Sequence, residues 1–590
     1  MLLTREYDLS ERRSLISVCM GAEEPDLLLT GGYVVDVAIG EIKKADIAVK
    51  GKRIAYVGDA RELKTSNSTK VLDITGKYVA PGFIDAHAHV ESTMLTPSAY
   101  ASLIVPYATT GAVIDPHEVA NVAGVDGLKV FLGDAKHTGF KFYVQAPSCV
   151  PSAPGLETAG HTLDSSTIQK LLGLEGVWGL GELMSYNSVT AGEEEILEKI
   201  RFAYEKGRII DGHSPSLRNG RLQAYLSSGV MNDHTPRTAE EVLDRLRSGA
   251  YVMVQDRPGE SLFEDIVGSL KKIDTRRVMF CTDDIEPDEV EERGHLVSLM
   301  RKAVALGLNP VKAVQMVTIN AAEAYMVESE LGVVAPGRYA DLVLLNDLQK
   351  LNIDKVVLNG TVLASRAISP INARRSGLHR FEHTVKLRQG LAPDDLLLKV
   401  DVEIGRALVR VVTVEAGAVQ KELTVSSYAV QPSPTDDIIR MAVLERHGRN
   451  GNIGKGFMQG TGLRDGAITT SISHDAHNIV SIGVSEQDMY LGVRELEKAG
   501  GGIIATMNGK TLAKVELPYF GLLTDDLRLS KDVRELRKAA ADMGLKIPFR
   551  KVMFLSLPVG RGNFRITDMG LVSYADKTSL PVLLSLLSQQ

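Results

Sequence analysis

Between about residue 83 and residue 284 the chain repeats one pattern: a short apolar run ends in polar or ionisable residues, and a stretch with helical spacing follows. The runs end at His87 and His89, at Asp115-Pro116-His117-Glu118, at Gln145-Ala146-Pro147-Ser148 and at Gly181-Glu182. They end again at Asp211-Gly212-His213, Asn232-Asp233-His234, Gln255-Asp256 and Thr282-Asp283-Asp284, which makes eight strand ends in all. Helical stretches such as 239–248 and 296–306 lie between or after them, as parallel strands require. The pattern predicts a (β/α)8 barrel, a fold that builds its active site at the C-terminal ends of the strands.

A different texture flanks this region. Short β-branched runs punctuated by Gly and Asp occupy 27–36 and 45–58, and return at 331–345 and 355–362. The two stretches are expected to complete one small β-sandwich domain, with the barrel inserted between them. Residues 1–24 read as a short helical lead-in, and the pattern breaks again near 365–395 around Asn372-Ala373-Arg374-Arg375 and Leu391-Ala392-Pro393. The expected fold class is therefore α/β: a TIM barrel inserted in a β-sandwich, followed by a C-terminal α/β (α+β) domain. The corresponding division is 1–80, 81–328, 329–370 and 371–590.

The candidate chemistry gathers at the strand ends. Side chains on a strand alternate faces, so His87 and His89 point to one side. With Glu182, His213, His234 and Asp283 they give four imidazoles and two carboxylates. Any one of these alone fits a satisfied core histidine or a surface carboxylate. Together, at strands one, four, five, six and eight, they form a ligand set for two divalent ions, because a packed core does not collect so much desolvated charge without a counter-ion.

Composition narrows the setting. A formal net charge of -7 argues against a polyanion-binding surface, so no nucleic-acid partner is expected. The three cysteines, Cys19, Cys149 and Cys281, are far apart, which suits a reducing cytoplasm and excludes a Cys-type zinc site. The first residues are too charged for a signal peptide and no apolar run is long enough to span a bilayer. A soluble, cytoplasmic protein without a membrane partner is expected.

The segment Pro81-Gly82-Phe83-Ile84-Asp85-Ala86-His87-Ala88-His89 resembles the first-strand signature of the amidohydrolase superfamily, and Val334-Ala335-Pro336-Gly337-Arg338-Tyr339-Ala340-Asp341-Leu342 resembles its barrel-exit sequence. Within it, His89-Val90-Glu91-Ser92-Thr93-Met94, Asp115-Pro116-His117-Glu118, Gly181-Glu182-Leu183-Met184 and Ser473-His474-Asp475-Ala476-His477-Asn478 are similar to the bacterial adenine deaminases, from about residue 25 to the C-terminus. Many amidohydrolases bridge their metals with a carbamylated lysine on strand four. Here Glu182 stands at that place.

The resemblance implies hydrolytic deamination of adenine to hypoxanthine and ammonia, with two divalent ions activating water for attack on C6. It implies that Asp283 holds a metal and carries a proton to the leaving amine, and that Glu118 donates to ring N1. It implies iron(II) or manganese(II), whereas the ligand types alone permit zinc equally, and a dimer. Asp284 either meets an imidazole-edge N–H of the base or caps the following helix. Glu118 would alternatively pair with a nearby Arg or Lys, and His117 is expected to orient other groups.

The accessory cluster His474, Asp475 and His477 leaves several readings open. The two histidines would share a face on a helix but not on a strand. They could reach into the barrel mouth of their own or a partner subunit, bind another ion, or form a polar turn that satisfies backbone groups. The Gly-rich run from Gly448 to Gly456 lacks a Walker ending and does not follow a clear strand, so nucleotide binding is not expected there. Two other functions compete: an amidohydrolase acting on another aminated heterocycle or cyclic amide, and a catalytically silent barrel scaffold.

Overall fold

The computed structural model describes residues 7–136, 138–257, 262–363, 377–559 and 562–587. It opens on the helix Leu9–Cys19, whose N-terminus is capped by the Asp8 carboxylate accepting from the backbone N–H groups of Ser10 and Glu11. Leu15 and Val18 of this helix pack on Leu28, Ala48 and Ala55 of the first sheet.

Two sheets form the sandwich. One has the strand order Arg53–Gly58, Asp46–Lys50, Leu27–Thr30, Lys70–Asp73. The other runs Thr361–Val362, Ile353–Leu358, Leu342–Leu345, Tyr78–Pro81, Tyr33–Asp36, Glu41–Lys44, and so joins chain from both sides of the barrel. Leu342 pairs with Pro81 and Leu344 with Val79, antiparallel. Val34, Ile47, Val49, Val79, Leu342 and Val357 are buried between the two sheets.

The inserted barrel has eight parallel strands: Phe83–Ala88, Thr109–Ile114, Lys141–Ala146, Val177–Leu183, Ile209–Gly212, Asn232–Asp233, Tyr251–Val254 and Val278–Phe280. The first five are hydrogen-bonded in sequence, and so are the last three. A parallel bridge between Ala88 and Asp283 closes the ring, and the Met231 N–H reaches the Ile210 carbonyl at 3.1 Å across the other gap. The first three strands are buried at every position, as strands covered on both faces must be. Register shifts fall between Asp85 and Ala88 of the first strand and between Leu180 and Leu183 of the fourth. They flank His87 and Glu182; bulges of this kind re-aim side chains beside active sites.

The C-terminal region is built on a ten-stranded, mainly antiparallel sheet with the helices Glu486–Ala499 and Leu529–Asp542 packed on it. The first of these starts at Ser485, which accepts from the Asp488 N–H, and stops at Gly500 in the left-handed region at φ 79°. Residues 473–478 form a turn between the strands Ala467–Thr470 and Ile479–Gly483, not a helix. The Gly-rich run does follow a strand: it connects Ile438–Leu444 to Ile453–Gln459, with which that strand pairs antiparallel. Gly448 and Gly451 take the positive φ of the connection, at 69° and 68°, while Gly454 and Gly456 lie within the second strand, where Thr567 and Ile566 leave no room for a Cβ. The expected break at Asn372–Arg375 lies outside the described residues. No helix among the described residues is long and apolar enough to cross a membrane.

Candidate active site

His87, at the bulge of the first strand, and His89, just beyond its end, bring their Nε2 atoms within 3.1 Å of each other. Nδ1 of His89 faces the Asp115 carbonyl at 3.0 Å, which fixes that nitrogen as donor and leaves Nε2 as the ligand atom. That Nε2 stands 3.3 Å from Glu182 Oε1 and 3.3 Å from Asp283 Oδ1. Glu182 Oε2 lies 2.5 Å from His213 Nδ1 and 3.2 Å from His234 Nε2. The His234 ring stacks on His87 at 4.0 Å between centroids. All six strand-end residues thus converge.

Burial alone would neutralise these groups. It does so for His87, whose pKa lies well below the usual imidazole value because of desolvation and the neighbouring His234 and His89. For Glu182 burial is overcome by His213 and His234, and for Asp283 by Arg257 and His234; both carboxyls are held well below the usual range. The site therefore presents two carboxylates, fully buried, among nitrogen donors. Ligand atoms of His87, His89 and Glu182, and of His87, His234 and Asp283, lie within 4.8 Å of one another. Such an N/O donor set fits divalent transition metals.

Asp283 sits at φ 55°, in the left-handed region that Asp tolerates better than most residues. Its amide donates to the His87 carbonyl at 3.0 Å, and its own carbonyl accepts from the His89 N–H at 3.2 Å. Gln255 donates to Asp283 Oδ2 at 3.0 Å and to the His234 carbonyl at 2.8 Å, and the Arg257 guanidinium pairs with the same Oδ2. Asp284 accepts from Ser92 Oγ at 2.5 Å and lies 3.6 Å from Arg257. It does not cap the next helix, Pro287–Arg293, whose N-cap is Glu286.

Glu118 lies in the first turn of the helix His117–Ala135 and is fully buried. Neither carboxylate oxygen has a hydrogen-bond partner within the protein. Its neighbours are histidines, not Arg or Lys: His117 at 3.7 Å, His89 at 3.9 Å and His474 at 3.4 Å. Burial, then the nearby Glu91, pushes its pKa well above the usual carboxylate range. His117 Nδ1 faces Glu182 at 3.6 Å and Asp115 at 3.9 Å, and its Nε2 faces Asp475 at 3.5 Å.

The C-terminal turn reaches this same place. Its backbone is tied by His474 N–H to the Met553 carbonyl at 2.9 Å, and by the His477 carbonyl to Arg446 Nε at 2.5 Å. The His474 ring stacks on Phe554 at 4.5 Å and lies 5.4 Å from the His477 ring. The turn places this cluster at the barrel mouth of its own chain, where His117, His474 and Asp475, and Glu118, His474 and His477, are groups that could also hold an ion.

A cavity of about 520 Å³ opens onto the convergence. Its polar wall includes His89, Glu182, His213, His234, Asp283 and Asp284, and its apolar wall comes from the C-terminal region as Phe549, Phe554, Leu555, Leu557 and Val559. His117, His474 and Asp475 line it; Glu118 is not among the described lining residues. Asp115, Gln255, Arg257, Ser92 and Phe554 were not singled out by sequence. Asp115 and Gln255 stand at predicted strand ends, which is the signal that could have found them, whereas Phe554 has none.

Two family models match the chain: Amidohydrolase family over residues 78–363 and Adenine deaminase C-terminal domain over residues 413–578. The adenine deaminase of Moorella thermoacetica is 36% identical over 589 residues, covering 97% of this chain and 98% of that protein. That of Staphylothermus marinus is 33% identical, with 98% of each chain covered. Among solved structures, a beta-aspartyl dipeptidase from Fervidobacterium islandicum AW-1 aligns at a TM-score of 0.44 and 16% identity, covering 59% of this chain and 99% of that one.

Proposed function

This chain belongs to the adenine deaminase family of amidohydrolases, and on that footing we propose how its residues divide the work of removing the amine of adenine. The reaction is hydrolytic: adenine and water give hypoxanthine and ammonia. The observation that carries the reading is the convergence of His87, His89, Glu182, His213, His234 and Asp283, all but His87 of them on one wall of a cavity large enough for a purine.

His87, His89, Glu182, His213, His234 and Asp283 would hold two divalent ions, manganese(II) or iron(II). When bound, such ions lower the pKa of coordinated water and so supply the nucleophile at neutral pH. Glu182 supplies a carboxylate directly where other amidohydrolases need a carbamylated lysine, so no such modification is required. Gln255 and Arg257 orient Asp283, which accepts a proton from the attacking water and returns it to the departing amine. Glu118, kept protonated by burial, is the source of the proton for ring N1. Asp284, oriented by Ser92, accepts from an N–H on the imidazole edge of the base.

The proposed division of labour follows the chain: 81–328 supplies the metal-dependent barrel, 1–80 and 329–370 the sandwich that holds it, and 371–590 the apolar wall over the base. We further propose a cytoplasmic enzyme that works on the free base as a dimer. Metal titration of chelator-stripped protein tests the site: binding should saturate at two ions per chain, and saturation at one would remove Glu182 as a bridge.

A further inference from the structure

The proposed proton donor and the cavity are separated in this molecule. Glu118 has no side-chain partner and is buried, yet it does not appear among the described residues lining the cavity. Three side chains stand both against Glu118 and on the cavity wall: His89, His117 and His474. His89 is a proposed metal ligand, and its Nδ1 donates to the Asp115 carbonyl at 3.0 Å. His117 has carboxylates at both ring nitrogens, Asp115 and Glu182 at Nδ1, Glu118 and Asp475 at Nε2, all between 3.5 and 3.9 Å. His474 has them on one side alone: its Nδ1 lies 3.4 Å from Glu118 Oε1 and 3.8 Å from Asp475 Oδ1, while its buried Nε2 has no hydrogen-bond partner within the protein.

We propose that His474, contributed by the C-terminal turn, is a catalytic relay that passes the Glu118 proton to a ring nitrogen of the bound base. The step balances on the two faces of one imidazole. Glu118 O–H transfers its proton to Nδ1 as the Nε2–H bond breaks and that proton passes to ring N1. His474 exchanges one neutral tautomer for the other and Glu118 is left as the carboxylate. The product keeps the hydrogen on N1. After hypoxanthine leaves, Nε2 takes up a proton from cavity water, in net the second hydrogen of the water consumed, as Nδ1 returns its own to Glu118, which restores both the carboxylic acid and the starting tautomer.

Two further observations suit the role. Stacking on Phe554 at an interplanar angle of 16° fixes the ring plane, and within it Nδ1 is turned towards Glu118. Burial lowers the His474 pKa, so at neutral pH the ring is the neutral form that a tautomer exchange needs. The apolar wall and the relay come from the same C-terminal region, which gives that region a part in the chemistry rather than only a part in covering the barrel.

The inference rests on the deamination reading, and the test separates the two. His474→Ala is assayed with adenine, alone and with added imidazole or 1-methylimidazole, after its metal has been counted. The relay predicts unchanged metal content, a kcat lower by roughly two powers of ten with KM moved much less, restoration by imidazole, and none by 1-methylimidazole, which fills the space but cannot exchange a proton between its nitrogens. Equal restoration by both additives, or a kcat within threefold of wild type, overturns it. So does loss of one bound ion in the variant, which would make His474 a metal ligand. If neither additive enters, His474→Asn decides: its amide can occupy the Nδ1 position against Glu118 but cannot pass a proton, so it must be as slow as the Ala variant, and a near wild-type rate overturns the relay. A wild-type protein without adenine turnover would instead refute the deamination reading itself.

Discussion

Glu182 and His213 face each other at 2.5 Å, from the ends of neighbouring barrel strands. His234 approaches the same Glu182 oxygen at 3.2 Å, and His89 and His117 approach the other at 3.3 and 3.6 Å, so one carboxylate faces four imidazoles. If that carboxylate joins two ions, Glu182→Ala should lose metal as well as activity. Metal analysis of the purified variant checks this, and full retention of two ions would refute the bridging role.

Glu118 is placed for proton supply and not for metal binding. Glu118→Gln should therefore keep its metal complement while turnover falls by roughly two to four powers of ten, the usual worth of one acid–base group. Steady-state kinetics beside a metal count tests it. A rate near that of the unaltered protein would take Glu118 out of the mechanism.

Glu157, which is not one of the proposed metal ligands, predicts a pH effect on stability. It is buried, accepts from Ser152 Oγ at 2.9 Å and the Ala153 N–H at 3.1 Å, and has its pKa raised by burial to about 8 from 4.5. The folded protein therefore holds a proton that the unfolded chain has lost between these values, and stability declines as pH rises through that window. Glu157→Gln, permanently neutral, should flatten this part of the decline. Denaturant midpoints measured across the window would count against the assignment if both proteins showed the same slope.

Lys141 ties the barrel to the sandwich. Its ammonium is fully buried, pairs with Asp341 and donates to Asn359 Oδ1 at 2.7 Å. Lys141→Met would leave the Asp341 carboxyl buried without its cation, a change that costs about 3–5 kcal/mol. The double variant Lys141→Met/Asp341→Leu should recover much of that loss. Thermal or denaturant unfolding reads both, and a mild single variant would show that water reaches Asp341.

Much of this was legible in the sequence because the barrel writes its plan locally. Each strand is an apolar run, and each functional residue stands where the run stops, so His87, His89, Glu182, His213, His234 and Asp283 could be collected without coordinates. The sandwich was legible for the same reason: Val79 and Leu344 sit in strand-like runs, although only tertiary structure shows that they pair. The His474–His477 turn was not. Histidines three apart suggest a helix face, but the strands on either side of them are antiparallel neighbours and leave room only for a turn, a constraint set by long-range pairing. Phe554 and Arg257 carry no local signal at all, since their roles come from which distant segment they lie against. The cavity's blindness to Glu118 also belongs to the tertiary level: position in sequence put Glu118 at a strand end, but not behind His474.

The most direct test of the account is ammonia release from adenine, beside adenosine and cytosine, on protein whose metal has been counted and then reconstituted with manganese. The account predicts turnover of adenine alone, rising in proportion to site occupancy and reaching its limit at two ions per chain. Two bound ions with no release of ammonia from adenine would contradict it.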